Sequence, residues 1–215
     1  MVSRTIKVLL TTTLLFVLVS GVTAQDKVPP KAQKGVLNLS DWDFDKDGPV
    51  DLSGEYAFYW NQLLNPQKIL GNRAPQPSGY VKVPGYFHDF DQNDTGKFKQ
   101  GYATYRLKII LHPEIRNTLL AIKYMDMGTA FNLVLNGETV CAVGKVGQSR
   151  DTSQPKYHPG IAEFQVNSTS LDLVMQVSNF HHRRGGAWDN LTLGTGRHLR
   201  ATRDKRINYD VFLFG

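Results

Sequence analysis

Cysteine is almost missing: Cys141 is the single one in 215 residues, so no intrachain disulfide can form. The chain also lacks Gly-x-Ser-x-Gly, His-Glu-x-x-His, Cys-x-x-Cys and Walker sequences. A non-catalytic protein is therefore expected, with no catalytic residue assigned and neither cofactor nor metal required. Glycoside hydrolysis needs two carboxyl groups poised across a cleft, and the 19 acids offer no privileged pair. Basic residues outnumber acidic ones, giving a net charge of +6, but they are mostly scattered. No basic run alternates with aromatics, so the footprint of a nucleic-acid binder is absent. Long helical periodicity is rare and there is no internal repeat, which excludes a helical bundle or solenoid.

What is present fits an all-β domain. Aromatics make up 11% of the chain, and turn-forming Gly and Pro are frequent. The clearest local signal is the stretch Leu119–Val143. Thr129–Leu135 and Glu138–Val143 read as strands joined only by Asn136-Gly137, and Asn-Gly tolerates the positive φ angles of a type I′ hairpin turn. Leu119–Tyr124 supplies a third strand upstream. Other strands are expected at Gly54–Trp60, with Val50–Leu52 leading into it, and at Tyr80–Val83, Tyr102–Leu111, Ile161–Val166, Leu171–Val177 and Ala187–Leu193, about nine in all. In Gly54–Trp60, Tyr56 and Phe58 share one face, and Glu55, Ala57 and Tyr59 share the other. This spacing predicts an all-β, two-sheet jelly-roll sandwich of the galactose-binding-domain type.

The first residues are expected to lie outside the fold. Arg4 and Lys7 precede an apolar run, Val8–Val22, and small residues end at Ala24, so residues 1–24 read as a signal peptide. An uncleaved signal anchor is the alternative. Losing this segment leaves a mature net charge of about +4. Residues 25–34 read as a disordered linker, residues 35–196 as the jelly-roll domain, and residues 197–215 as a basic juxtamembrane-like tail or a final strand. An exported, periplasmic protein is expected.

Several residues invite a functional reading. The loop Phe180–Asp189 combines His181, Arg183 and Arg184 with Gly185-Gly186, Trp188 and Asp189. Sugars need an aromatic face for their C–H surfaces and fixed polar groups for hydroxyls or carboxylates. Trp188 as a core residue, with the arginines as solvated surface, is the alternative. The adjacent His181 and His182 point to opposite sides of an extended chain and make a poor chelate. Tyr86 and His88, with Phe87 and Asp89, form a second candidate wall. Tyr157 and His158 form a third. Asp41, Asp43, Asp45 and Asp47 hint at a calcium loop, but from Asp43 the twelfth place is Gly54, not the required Glu, and a solvated turn is expected. Cys141 reads as a buried small apolar residue.

Val83-Pro84-Gly85, Gly101–Arg106, Leu135-Asn136-Gly137 and Asn179–Gly186 resemble the jelly roll that precedes the catalytic barrel in β-galactosidase and β-glucuronidase relatives. Gly35–Trp42 and Leu52–Trp60 resemble the extracellular sensor domain of bacterial seven-transmembrane receptors with diverse intracellular signalling modules. That resemblance implies a periplasmic ectodomain that binds a small-molecule or carbohydrate ligand. It also implies membrane helices and an intracellular signalling module as partners, if the chain is the excised ectodomain. A carbohydrate-binding module of a secreted glycoside hydrolase is the alternative.

Overall fold

The computed structural model describes residues 27–69, 75–91 and 99–201. The expected signal peptide and the expectations for residues 202–215 lie outside the described residues.

The chain folds into two facing sheets, as the strand spacing predicts. Strands β1 (Val36–Leu39), β2 (Val50–Asp51), β3 (Gly54–Trp60), β4 (Gly79–Val83), β5 (Gly101–Leu111) and β6 (Leu119–Tyr124) are followed by β7 (Ala130–Leu135), β8 (Glu138–Val143), β9 (Gly160–Gln165), β10 (Ser170–Asn179) and β11 (Thr192–Gly194). The larger, seven-stranded sheet runs β4-β3-β5-β10-β7-β8, with β1 pairing β5 in parallel; the four-stranded sheet runs β2-β11-β6-β9. β5 organises the larger sheet because its period-2 pattern is unbroken: Ala103, Tyr105, Leu107, Ile109 and Leu111 are each at most 2% exposed. They meet Leu120 and Ile122 of β6 and Leu193 of β11 in one continuous core. Burying these alternating faces against each other supplies most of the driving force for the sandwich.

Asn136 (φ 48°) and Gly137 (φ 87°) turn the β7–β8 hairpin as their sequence predicts. Asn136 also locks the turn to β10: its Oδ1 accepts the Asp172 N–H at 2.7 Å, and its own N–H donates to Asp172 O at 2.9 Å. Asn136→Ala would lose the side-chain bond and the tolerance of positive φ. A stability loss of about 1–2 kcal/mol is expected, read as a lower urea midpoint with an unchanged slope.

The outer face of the larger sheet is covered, contrary to the half-polar expectation for β3. Residues 61–69, including the short helix α1 (Pro66–Ile69), cross it as a strap. The Leu64 N–H donates to Thr104 Oγ1 (3.0 Å), that hydroxyl donates to Gln62 O (2.7 Å), and Gln176 Nε2 donates to Leu64 O (2.9 Å). Beneath the strap Tyr59, Ile69, Val134 and Val174 form a second apolar cluster, which buries Tyr59 on the face that alternation alone assigns to solvent.

Ala32 is buried, its N–H donates to Ser53 O, and its carbonyl accepts the Glu55 N–H, both at 2.8 Å. Packing thus begins inside the segment read as a disordered linker, because β3 has a free edge there to bind it. At the carboxyl-terminal side residues 196–201 are helical with Leu199 buried; the rest of the tail lies outside the described residues. Ala187–Leu193 is only partly strand: regular pairing is confined to β11, while Trp188–Asn190 leave the ladder. Among the described residues no helix is long and apolar enough to cross a membrane.

Candidate functional site

The two ends of the sandwich differ in chemistry. β5 starts beside the end of β10, where Gly101 pairs with Asn179, and finishes beside the end of β1, where Leu111 pairs with Leu39. Loops 84–91, 125–129, 144–159 and 180–191 gather at or near the first end. Loops 40–49 and 112–118, and the chain after Gly194, gather at the second.

At the first end a short ladder builds the site. The Gly85 N–H donates to Ala187 O (2.8 Å), the Phe87 N–H to Gly185 O (2.7 Å) and the Gly128 N–H to Gly186 O (3.1 Å). Gly186 makes this three-way approach possible: its φ is +132°, and a Cβ there would lie 2.8 Å from Gly85 O and from the Phe87 nitrogen. The sequence reading placed Phe87 on a candidate wall beside Tyr86. The structure instead buries it completely, with ring centroids 5.1 Å from Trp60, 6.4 Å from Phe58 and 6.5 Å from Tyr105. The 3-10 turn Phe87–Phe90 explains this, since it sends Phe87 inward and leaves Tyr86 and His88 outside.

Those two rings stack, with centroids 5.2 Å apart and planes 12° from parallel. The Tyr86 N–H donates to Asp89 Oδ2 at 2.6 Å, which fixes the turn. Trp188 continues the aromatic surface, its centroid 6.1 Å from Tyr86 and 5.5 Å from His182. The guanidinium carbon of Arg184 lies 5.2 Å from the Tyr86 ring centroid, a distance at which a cation is attracted by the ring face. Gly128 leaves room for the indole, since a Cβ there would run into Trp188 Cζ3.

Beside this surface is a hollow of about 360 Å³, lined by Asp126, Met127, Thr129, Pro155, Lys156, Tyr157, His182 and Trp188. Thr129 Oγ1 is buried there without a hydrogen-bond partner among the described residues. The hollow joins an apolar indole wall to a cation, a carboxylate and an imidazole, a mixture suited to a ligand with both C–H faces and polar substituents.

The structure thus brings together Trp188 and Tyr157 in the hollow, with Tyr86, His88 and Arg184 beside it. The other expected site residues stand apart. His181 turns toward the 149–154 loop, where its Nε2 lies 3.1 Å from Ser153 O, while His182 turns toward Trp188. Asp189 accepts the Asn190 N–H at 2.8 Å and does not line the hollow. Arg183 is exposed and does not line it either. Asp126, Met127, Thr129, Pro155, Lys156 and His182 were missed. Asp126–Thr129 follow β6 with no turn signature, and only the Gly128–Gly186 bridge brings them to the loop.

The second end carries a larger hollow of about 650 Å³, lined by Asp41, Asp43, Asp45 and Asp47 among others. Three of these four acids have partners. Asp43 accepts backbone N–H groups from Asp45 (3.0 Å) and Lys46 (3.3 Å), and its Oδ2 lies 2.8 Å from Lys46 Nζ. Asp47 accepts the Asp43 N–H at 3.0 Å and pairs with Lys27 at 3.2 Å; Asp45 pairs with Arg197 at 3.3 Å. The hydrogen bond from Lys46 holds Asp43 below the usual carboxylate range, and the Asp43 N–H does the same for Asp47. Trp42 and Phe44 anchor the turn in the core, with the Trp42 indole donating to Gly48 O at 2.9 Å. This is a self-satisfied turn. Among the described residues no group of three or more His, Cys, Asp or Glu could hold a metal ion.

Cys141 sits half-buried on β8, and burial pushes its thiol up to about 12. The thiolate is the reactive form, so at pH 7 native protein is expected to resist Ellman's reagent while urea-unfolded protein reacts with one equivalent. Rapid labelling of the native state would contradict this placement.

These observations define a jelly-roll sandwich with a mixed aromatic and polar hollow at one tip. A scan against protein-family models and a search of curated proteins find no match. Solved structures do share the fold. The β-glucuronidase of an uncultured Clostridium sp. superposes with a TM-score of 0.51 at 14% identity, over 67% of this chain and 28% of that one. Bacteroides uniformis β-glucuronidase 2 gives a TM-score of 0.50 at 14% identity, over 67% of this chain and 17% of that one. The protein therefore has the β-sandwich fold of one portion of these enzymes and spans about a quarter of their length or less.

Proposed function

We propose that the chain is a non-catalytic, exported sensor domain that binds a small polar ligand, a carbohydrate, at the Trp188 hollow. In this reading it is the periplasmic input part of a membrane signalling receptor. The observation that carries the ligand reading is the hollow itself, in which Trp188 faces the same space as Lys156, Asp126, His182 and Tyr157. An indole wall with polar groups around it suits a pyranose, whose C–H face packs on the ring while its hydroxyls take the hydrogen bonds. The receptor reading draws on the resemblance of Gly35–Trp42 and Leu52–Trp60 to sensor ectodomains. The geometry is compatible with it: Thr195 and helical residues 196–201 lie at the acidic end, so a membrane segment following them would hold the hollow away from the bilayer.

A second reading, a carbohydrate-binding module of a secreted glycoside hydrolase, is favoured by the fold shared with portions of β-glucuronidases. Coding sequence beyond Gly215 separates the two: membrane helices select the sensor, and a barrel domain selects the module. Calorimetry of the purified protein against a glycan panel, with an aryl-glycoside hydrolysis assay beside it, tests what both share. Saturable binding without turnover is expected. Turnover would overturn the non-catalytic assignment, and no binding to any glycan would overturn the ligand class.

A further inference from the structure

The charge around the hollow narrows the ligand class, an inference that rests on the carbohydrate reading above. Lys156 lines the hollow, Arg184 sits over Tyr86 beside Trp188, and Arg183 is exposed in the same loop. Among the described residues none of these three cations is in an ion pair. The nearby acids are mostly committed. Asp89 takes the Tyr86 N–H on one oxygen and lies 3.5 Å from His88 Nε2 with the other. Asp189 takes the Asn190 N–H. Among the described residues Asp126 is the one acid lining the hollow, where it faces the same space as Lys156.

Uncommitted cations around an apolar ring favour a ligand with an apolar face and an anionic group. A neutral sugar would leave them only hydroxyls, and an amino sugar would meet like charge. We infer that the hollow takes an acidic sugar, a pyranose bearing a carboxylate. Trp188 packs on the ring, Lys156 and Arg184 take the carboxylate, and Asp126 accepts from ring hydroxyls.

The test is calorimetry with uronic acid trisaccharides (galacturonate, glucuronate and mannuronate) and their carboxyl-reduced, neutral counterparts. At least one uronate should bind about tenfold more tightly than its reduced form, and that advantage should shrink at 0.5 M salt. Lys156→Gln and Arg184→Gln should each lower uronate affinity by about threefold to fivefold and lower affinity for the neutral oligomer by less. Both positions are exposed, so circular dichroism should show intact folding. Neutral and acidic forms binding equally would overturn this inference and leave the carbohydrate reading standing. Binding of neither, with the wider glycan panel also silent, would overturn both.

Discussion

Phe87→Ala should cost about 3–5 kcal/mol of stability and lower the melting temperature by on the order of 10 °C. The ring is fully buried between Phe58, Trp60 and Tyr105. Truncating it leaves a cavity that cannot close, because the backbone around it is pinned: the Phe87 N–H is held by Gly185 O and the Gly85 N–H by Ala187 O. The same ladder positions Tyr86 and Trp188, so the variant should also bind any hollow ligand less well at temperatures where it remains folded. Chemical denaturation with an unchanged slope is the measurement. A loss below about 1 kcal/mol, a typical surface-substitution scale, would mean that Phe87 does not occupy the core.

Trp188→Ala should do the reverse, sparing the fold and removing binding. The indole is only half-buried and rests on Gly128, with Tyr86 and His182 at its sides. An aromatic at the centre of a binding surface commonly contributes 2 kcal/mol or more, so affinity should fall by about thirtyfold. Arg183→Ala is the matched comparison. The loop composition made Arg183 a candidate of equal standing, but it does not line the hollow, and a change below about twofold is expected. Titration of both variants with the best ligand of the panel separates the two residues. Equal losses would move the binding surface outward along the loop, and an unaffected Trp188→Ala would dismiss the hollow.

The fold was largely legible because period-2 alternation and turn chemistry act locally. Asn136-Gly137 favours a tight hairpin, and the continuous inward apolar face of β5 is satisfied by burial between two layers. The outer strap was not legible. Nothing local marks Asn61–Ile69 as a cover for Tyr59 and Val174, since the contact depends on hydrogen bonds to Thr104 and Gln176, far away in sequence. Ala32 was hidden for the same reason, as a short segment between prolines and charges whose partner is an edge of β3.

The site was legible in its aromatic part only. Trp188, Tyr86, His88, Tyr157 and Arg184 converge as loop composition suggested. His181 and His182 diverge, as adjacent residues of an extended chain should: His182 faces Trp188 and His181 faces the 149–154 loop. Which of two adjacent side chains faces inward depends on the register of the chain leaving β10, where Asn179 Oδ1 accepts the His182 N–H at 3.0 Å. Asp126 and Lys156 are brought to the hollow by long-range bonds such as the Gly128–Gly186 bridge and that from the Lys156 N–H to Thr129 O, none of which has a local signature.

The three indole N–H resonances of this protein provide the most direct test of the account. Trp188 lines the hollow, Trp60 packs against the core beside Gly101, and Trp42 is buried at the opposite, acidic end. In a two-dimensional ¹H–¹⁵N titration with a binding glycan, the Trp188 signal should shift progressively to saturation while Trp42 stays fixed. A shift of Trp42 with Trp188 unmoved would place the ligand at the other end of the sandwich and contradict the account.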